Sequence, residues 1–172
     1  MIRKAEAADI DAVEQGYIEL LTYEKANGGH SNWQLGVYPT RELAQRELEA
    51  GNLYVLEEDG LVCASMRLNR EQGVGYENID WIYPAGDDEV FVVHTLCVPP
   101  SFARRGAGKR MMLWALDEAR RRGGRVMRLD TDDGNSPATG LYLSLGFRIA
   151  GIQSVMLEGL IPEVQKFFEI EL

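Results

Sequence analysis

From Asp9 the apolar residues Ile10, Val13, Tyr17, Leu20 and Leu21 recur at the spacing of one helical face, which predicts a helix to about Lys25. Ahead of it, residues 2–5 read as a short first strand. Gly28-Gly29 and Pro39 break the pattern, so residues 26–39 form a loop, and Trp33 and Tyr38 are aromatic residues within it. Thr40 suits an N-cap and Glu42 the first turn of a second helix that Gly51 ends. The runs 53–58 and 61–69 read as strands joined at Asp59-Gly60, the strongest hairpin signal in the chain.

Residues 72–88 are less regular, acidic and aromatic, with Tyr76, Trp81 and Tyr83. The following run, Glu-Val-Phe-Val-Val-His-Thr-Leu-Cys-Val at 89–98, is apolar on both faces and belongs in the centre of a sheet. Pro99-Pro100 stops it, and a short loop leads to Gly106-Ala107-Gly108. A helix then runs to about Arg122, with Met111, Met112, Ala115 and Ala119 on one face and Gly123-Gly124 as its stop. Residues 126–130 form another strand. Residues 135–145 form a short helix that tolerates Pro137 in its first turn and ends at Gly146. The tail from Phe147 is strand-like. Helices alternate with strands, so the expected class is α/β or α+β with a mixed sheet, in one domain spanning 1–172.

Composition narrows the function. Eighteen Lys and Arg against 27 Asp and Glu give a net charge of −9, which argues against a nucleic-acid partner, because phosphate contacts need a basic surface. The N-terminal sequence has no secretory apolar region and no run of about 18 apolar residues occurs, so neither export nor a membrane partner is expected and the chain reads as cytoplasmic. Cys63 and Cys97 lie in apolar runs and read as reduced core thiols. His30 and His94 are the two histidines, and with no ligand-spaced pair no metal site is expected.

The segment richest in chemistry joins the central strand to the next helix. Leu96-Cys97-Val98-Pro99-Pro100 runs into Ala103-Arg104-Arg105-Gly106-Ala107-Gly108-Lys109. Unpaired N–H groups and the positive end of a helix dipole meet there, which makes an anion site, and Gly106 and Gly108 let a phosphate approach the backbone. Arg104, Arg105, Lys109 and Arg110 add four cations to an acidic chain. A P-loop is excluded because Arg110 follows Gly108-Lys109, and a dinucleotide fingerprint because Met111 stands where its third glycine belongs.

This segment resembles the acetyl-CoA-binding motif of the GCN5-related N-acetyltransferase superfamily: Leu-x-Val-x-Pro on the fourth strand, then Gln/Arg-x-x-Gly-x-Gly/Ala entering a helix. A second block agrees. Asn135-Ser136-Pro137-Ala138-Thr139-Gly140-Leu141-Tyr142, followed by Gly146-Phe147, is similar to that family's Asn-x-x-Ala-x-x-Leu-Tyr-x-x-x-Gly-Phe. The resemblance covers residues 89–152 at motif level. The chain departs from the pattern at Ala103, where the family usually has Gln or Arg, and at Arg104, a position often held by Gly.

The resemblance implies a central mixed, mostly antiparallel sheet flanked by helices, acetyl-CoA as co-substrate, and an amine acceptor on a small molecule or a protein. A homodimer is compatible with it. It assigns the backbone of Leu96, Cys97 and Val98 to the amide-rich arm of CoA and the N–H groups from Arg104 through Arg105, Gly106, Ala107 and Gly108 to Lys109 to its pyrophosphate. It gives Asn135 a further contact to the cofactor, beside its alternative role as an N-cap. Tyr142 falls on the family's general acid, against the alternative of a packed helix tyrosine. His94, on one strand face with Val92, Leu96 and Val98, is the candidate base, with Glu89 and Asp80 as carboxylate alternatives. Trp33, Tyr38, Asp80 and Trp81 are expected to line the acceptor site. A non-catalytic acyl-CoA-binding regulatory module is the alternative reading.

Overall fold

The computed structural model describes residues 1–172. Seven strands and four helices follow in the order β1 (Ile2–Lys4), α1 (Ile10–Asn27), α2 (Arg41–Glu49), β2 (Leu53–Glu58), β3 (Leu61–Asn69), β4 (Val90–Cys97), α3 (Ala107–Arg121), β5 (Val126–Asp132), α4 (Ser136–Ser144), β6 (Arg148–Leu157) and β7 (Ile161–Glu171). Local signals set most of these bounds. Thr40 Oγ1 accepts from the Leu43 N–H at 3.3 Å and starts α2. Asp59 and Gly60 both take positive φ, 51° and 77°, the twist a two-residue hairpin needs between β2 and β3. Gly123 (φ 79°) ends α3, its N–H donating to Arg120 O and that of Gly124 to Ala119 O.

The strands form one sheet in the order β1-β2-β3-β4-β5-β7-β6. β4 and β5 are parallel, whereas β1–β2, β2–β3, β5–β7 and β6–β7 are antiparallel. The expected mixed, mostly antiparallel sheet flanked by helices is therefore present. The β4–β5 register runs from Val90↔Val126 to Val92↔Arg128, three residues of an eight-residue strand.

Two compact units divide the chain, one of residues Met1–Gly29, Trp33–Leu68 and His94–Trp114, the other of His30–Asn32, Asn69–Val93 and Ala115–Leu172. In the first, the helical stripe Ile10, Val13, Tyr17 packs with Ala44 of α2, Leu53 and Val55 of β2 and Cys97 of β4. Pro99 lies so close to α1 that a Cβ on Gly16 would meet its Cγ at 3.0 Å. In the second, Tyr76, Ile79, Val90, Val92 and Phe167 share a core.

The irregular residues 72–83 are tied down in that second unit by polar and aromatic anchors. The Glu169 carboxylate, fully buried, pairs with Arg148 and accepts the N–H groups of Ile82 at 2.8 Å and Tyr83 at 3.4 Å. The Arg128 guanidinium stacks 4.2 Å from the Trp81 ring and donates to Gln72 Oε1 at 2.5 Å. Gly75 is required twice over, by φ of 91° and by Val155 Cγ1 at 2.8 Å from where a Cβ would stand.

Candidate active site

In the first unit the site begins on β4. His94, Leu96 and Val98 are half-exposed while Thr95 and Cys97 are buried, so alternation holds from His94 onward. Before that point both faces of the strand are buried. Val92 is fully buried, and Thr95 has φ of 50°, a left-handed conformation that a β-branched residue rarely takes. Val92 and His94 precede this residue, and Leu96 and Val98 flank it on the other side.

Past β4 the chain makes a 3₁₀ turn over Pro100–Phe102. The Ser101 N–H and hydroxyl both donate to the Glu19 carboxylate, at 2.7 and 3.0 Å, which fastens this turn to α1. Ala103, Arg104, Arg105 and Gly106 follow, all exposed, with Arg104 and Gly106 in left-handed conformations (φ 62° and 75°). Arg110 is the first residue whose N–H reaches the preceding turn, donating to Gly106 O at 3.0 Å. The N–H groups of Ala107, Gly108 and Lys109 therefore point out of the first turn of α3. No protein atom lies within 4 Å of a Cβ built on Gly106, so the surface there is open. Of the four cations, Arg110 is paired with Glu58, and the Arg105 guanidinium lies 5.6 Å from the Phe102 ring. These open donors and exposed cations fit a polyphosphate.

The second unit holds the other motif. Asn135 caps α4, its Oδ1 accepting from the Ala138 N–H at 3.2 Å while its Nδ2 donates to Thr131 Oγ1 at 3.1 Å. Its structural role is thus realised, and each side-chain atom retains one further hydrogen-bonding valence. Tyr142 packs on Phe147 and Phe168, and its hydroxyl makes no hydrogen bond within the chain. Burial raises its phenol pKa and the charge of Asp130 adds to that. The phenol stays protonated across the physiological range.

Sequence reasoning missed the carboxylates beside it. Asp130 accepts the Tyr76 hydroxyl at 2.7 Å, and burial again raises that phenol. Asp130 and Asp132 lie on one face of β5, and Gln165 pairs opposite Asp132. Gln165 Nε2 donates to Glu163 Oε1 at 2.7 Å. Burial pushes the Glu163 carboxyl up, and Asp130 and Asp132 push it further. The available signal was the pair of acids at positions i and i+2 at the end of a strand that opens Val-Met-Arg-Leu.

The aromatic residues expected around the acceptor each make contacts within the chain. Tyr38 is 5% exposed and shares a 2.7 Å hydrogen bond with Thr95 Oγ1. Trp33 is half-buried against the first core, edge-on to Tyr38 at 5.8 Å. Trp81 donates its indole N–H to Tyr76 O at 2.9 Å beneath Arg128. Asp80 is exposed. Glu89 accepts the Gly86 N–H at 3.0 Å and pairs with Arg125, contacts that lower its carboxyl pKa and make it a poor base.

Comparison with known proteins adds a family. The family model described as acetyltransferase (GNAT) matches residues 17–147. An N-alpha-acetyltransferase RimI of Mycobacterium tuberculosis is 36% identical over 80 residues, 46% of this chain and 48% of the relative, so the match spans about half the length of that curated protein. Among solved structures, a GNAT-family acetyltransferase from Streptococcus agalactiae superposes with a TM-score of 0.81 at 21% identity, over 100% of this chain and 95% of the other. An acetyltransferase from Salmonella typhimurium, solved with its cofactor acetyl-CoA, gives a TM-score of 0.70 at 21% identity, over 100% and 93%.

Proposed function

From the premise that the chain belongs to the acetyltransferase (GNAT) family, whose co-substrate is acetyl-CoA, we propose that it acetylates a primary amine on a cationic acceptor. The observation that carries the proposal is the buried Tyr142, whose hydroxyl has no partner in the chain. A regulatory module that only held acyl-CoA would have no use for a proton donor whose hydroxyl is left open in this way.

In this reading, residues 1–172 act as one acetyltransferase domain. The N–H groups at the start of α3, with Arg104, Arg105 and Lys109, hold the pyrophosphate, and the backbone of Leu96, Cys97 and Val98 pairs with the amide-rich arm. Asn135 uses its remaining valence toward the same arm. When bound, acetyl-CoA supplies an activated acyl group that the acceptor nitrogen attacks directly, without a covalent enzyme intermediate. Tyr142 carries the proton for the departing thiolate at its Oη, and its raised pKa keeps it in the donating form. His94, half-exposed on β4, is the base that receives the acceptor's proton.

The cationic acceptor is supported by the net charge of −9 and by Asp130, Asp132 and Glu163 in the second unit. The test is CoA release from acetyl-CoA with a panel of amines, alcohols and acidic acceptors at two ionic strengths. Basic amines should react fastest, with KM rising in salt. Turnover with none of them, alongside an acetyl-CoA-dependent rise in melting temperature, would support the regulatory module instead.

A further inference from the structure

The left-handed Thr95 sits in the middle of β4, the strand that the proposed acyl transfer uses. A β-branched residue does not hold φ of 50° on its own account, and such a conformation persists only where its surroundings over-determine it. The surroundings here are polar and buried. The Tyr38 hydroxyl lies 2.7 Å from Thr95 Oγ1, and Arg67 Nη1 donates to the same oxygen at 3.4 Å. Arg67 Nη2 pairs with Glu47 Oε1 at 3.2 Å, and Asn52 Nδ2 donates to Glu47 Oε2 at 3.2 Å. Tyr38, Arg67, Glu47 and Thr95 are each at least 93% buried. The chain thus takes a buried ion pair, one member from α2 and the other from β3, and a loop tyrosine, and directs them at one hydroxyl on β4.

Buried ion pairs contribute little to net stability, and fixing one arrangement among several is their best-attested use. We propose that Tyr38, Arg67 and Glu47 are positioning residues that lock Thr95 in its left-handed conformation and thereby set the backbone of His94 and Leu96 for acyl transfer. The proposal rests on the acetyltransferase reading of the site. It assigns Tyr38 a task different from lining the acceptor cleft, because its hydroxyl works through Thr95 and not on substrate.

The experiment is a double-mutant cycle between Tyr38→Phe and Thr95→Gly, with Glu47→Gln as an independent probe of the same network. Glycine reaches the left-handed region unaided, so it makes the lock unnecessary. Tyr38→Phe in the wild-type background should lower kcat roughly ten- to a hundredfold, the scale of misplaced reacting groups, with KM for acetyl-CoA changed less than about twofold. In the Thr95→Gly background the same substitution should leave kcat where Thr95→Gly alone has it. Amide hydrogen exchange at His94–Leu96, followed without ligand, should quicken in Tyr38→Phe and in Glu47→Gln, and the Tyr38→Phe effect should vanish in the glycine background.

A kcat loss that persists in the Thr95→Gly background would mean that Tyr38 meets the reacting groups directly, and would overturn the proposal. A lowered melting temperature with unchanged kcat and unchanged exchange at these amides would overturn it too, leaving a purely structural network. If the wild-type protein turned over no acceptor, the acetyltransferase reading would fail. The exchange measurement would still decide whether these side chains lock the strand.

Discussion

Replacing Arg104 with glycine should make the protein more stable, although it deletes a long side chain. Arg104 is exposed and has φ of 62°, so the change relieves backbone strain at little loss of packing. The left-handed region costs a non-glycine residue about 1–2 kcal/mol. Glycine gives back about 0.5–1 kcal/mol through the greater freedom of its unfolded chain. The expected net gain is therefore about 0.5–1 kcal/mol, or about 1–3 °C in Tm for a domain of this length. A second effect must be separated from it. Arg104 lies just before the positive end of α3, where a cation is disfavoured by about 0.3–1 kcal/mol. Arg104→Ala removes that charge and keeps the strain, so the difference between the glycine and alanine variants isolates the backbone contribution. Urea unfolding of the three proteins, with m-values compared, measures it. An alanine variant as stable as the glycine one would refute the strain argument and assign any gain to the charge.

Two further outcomes follow from the buried phenols. Tyr142→Phe should lower kcat by about 100-fold or more, the scale of a lost general acid, with acetyl-CoA affinity nearly unchanged in a direct binding measurement. Full activity in that variant would leave the residue as packing. Burial is the main cause of the raised pKa values of Tyr17, Tyr76 and Tyr142. Unfolded tyrosine ionises near pH 10, so above that pH the unfolded state binds fewer protons than the folded one. The stabilisation is complete below about pH 10 and is lost as pH rises toward the folded-state values. Denaturant titrations at pH 9 and 11 should show the decline, and Tyr17→Phe should make it shallower. A pH-independent stability over that span would contradict the burial argument.

Where structure depends on neighbours in the chain, the sequence was a good guide. The Thr40 and Asn135 caps, the Asp59-Gly60 turn and the apolar face Met111, Met112, Ala115 and Ala119, fully buried, all follow from local chemistry. The kink at Thr95 was illegible for the opposite reason. The run Val92-Val93-His94-Thr95-Leu96 reads as unbroken strand, and the groups that bend it come from Arg67 and Tyr38, 28 and 57 residues away. The placement of β7 between β5 and β6 was equally hidden, since consecutive strands usually pair in order. The bond between the Tyr38 hydroxyl and Thr95 was hidden in the same way, because sequence shows the ring and not the partner of its hydroxyl. Glu163 drew no notice because an isolated acid in a polar tail has no local signature of burial.

The anchoring of residues 72–83 in the second unit has a consequence for how their surface changes over evolutionary time. Gln72, Tyr76 and Trp81 turn inward to fixed partners, and the N–H groups of Ile82 and Tyr83 are held by Glu169. Between them Val74, Glu77, Asp80 and Ile82 present their side chains to solvent. Attachment and display are thus assigned to different residues of one short stretch. Substitutions on the outward side chains can accumulate without loosening the segment from the sheet, and each alters the charge or apolar area that an arriving molecule meets. A lineage can therefore vary this surface by single changes while the anchors beneath it stay in place. A library randomised at these four outward positions samples that variation without disturbing the inward anchors.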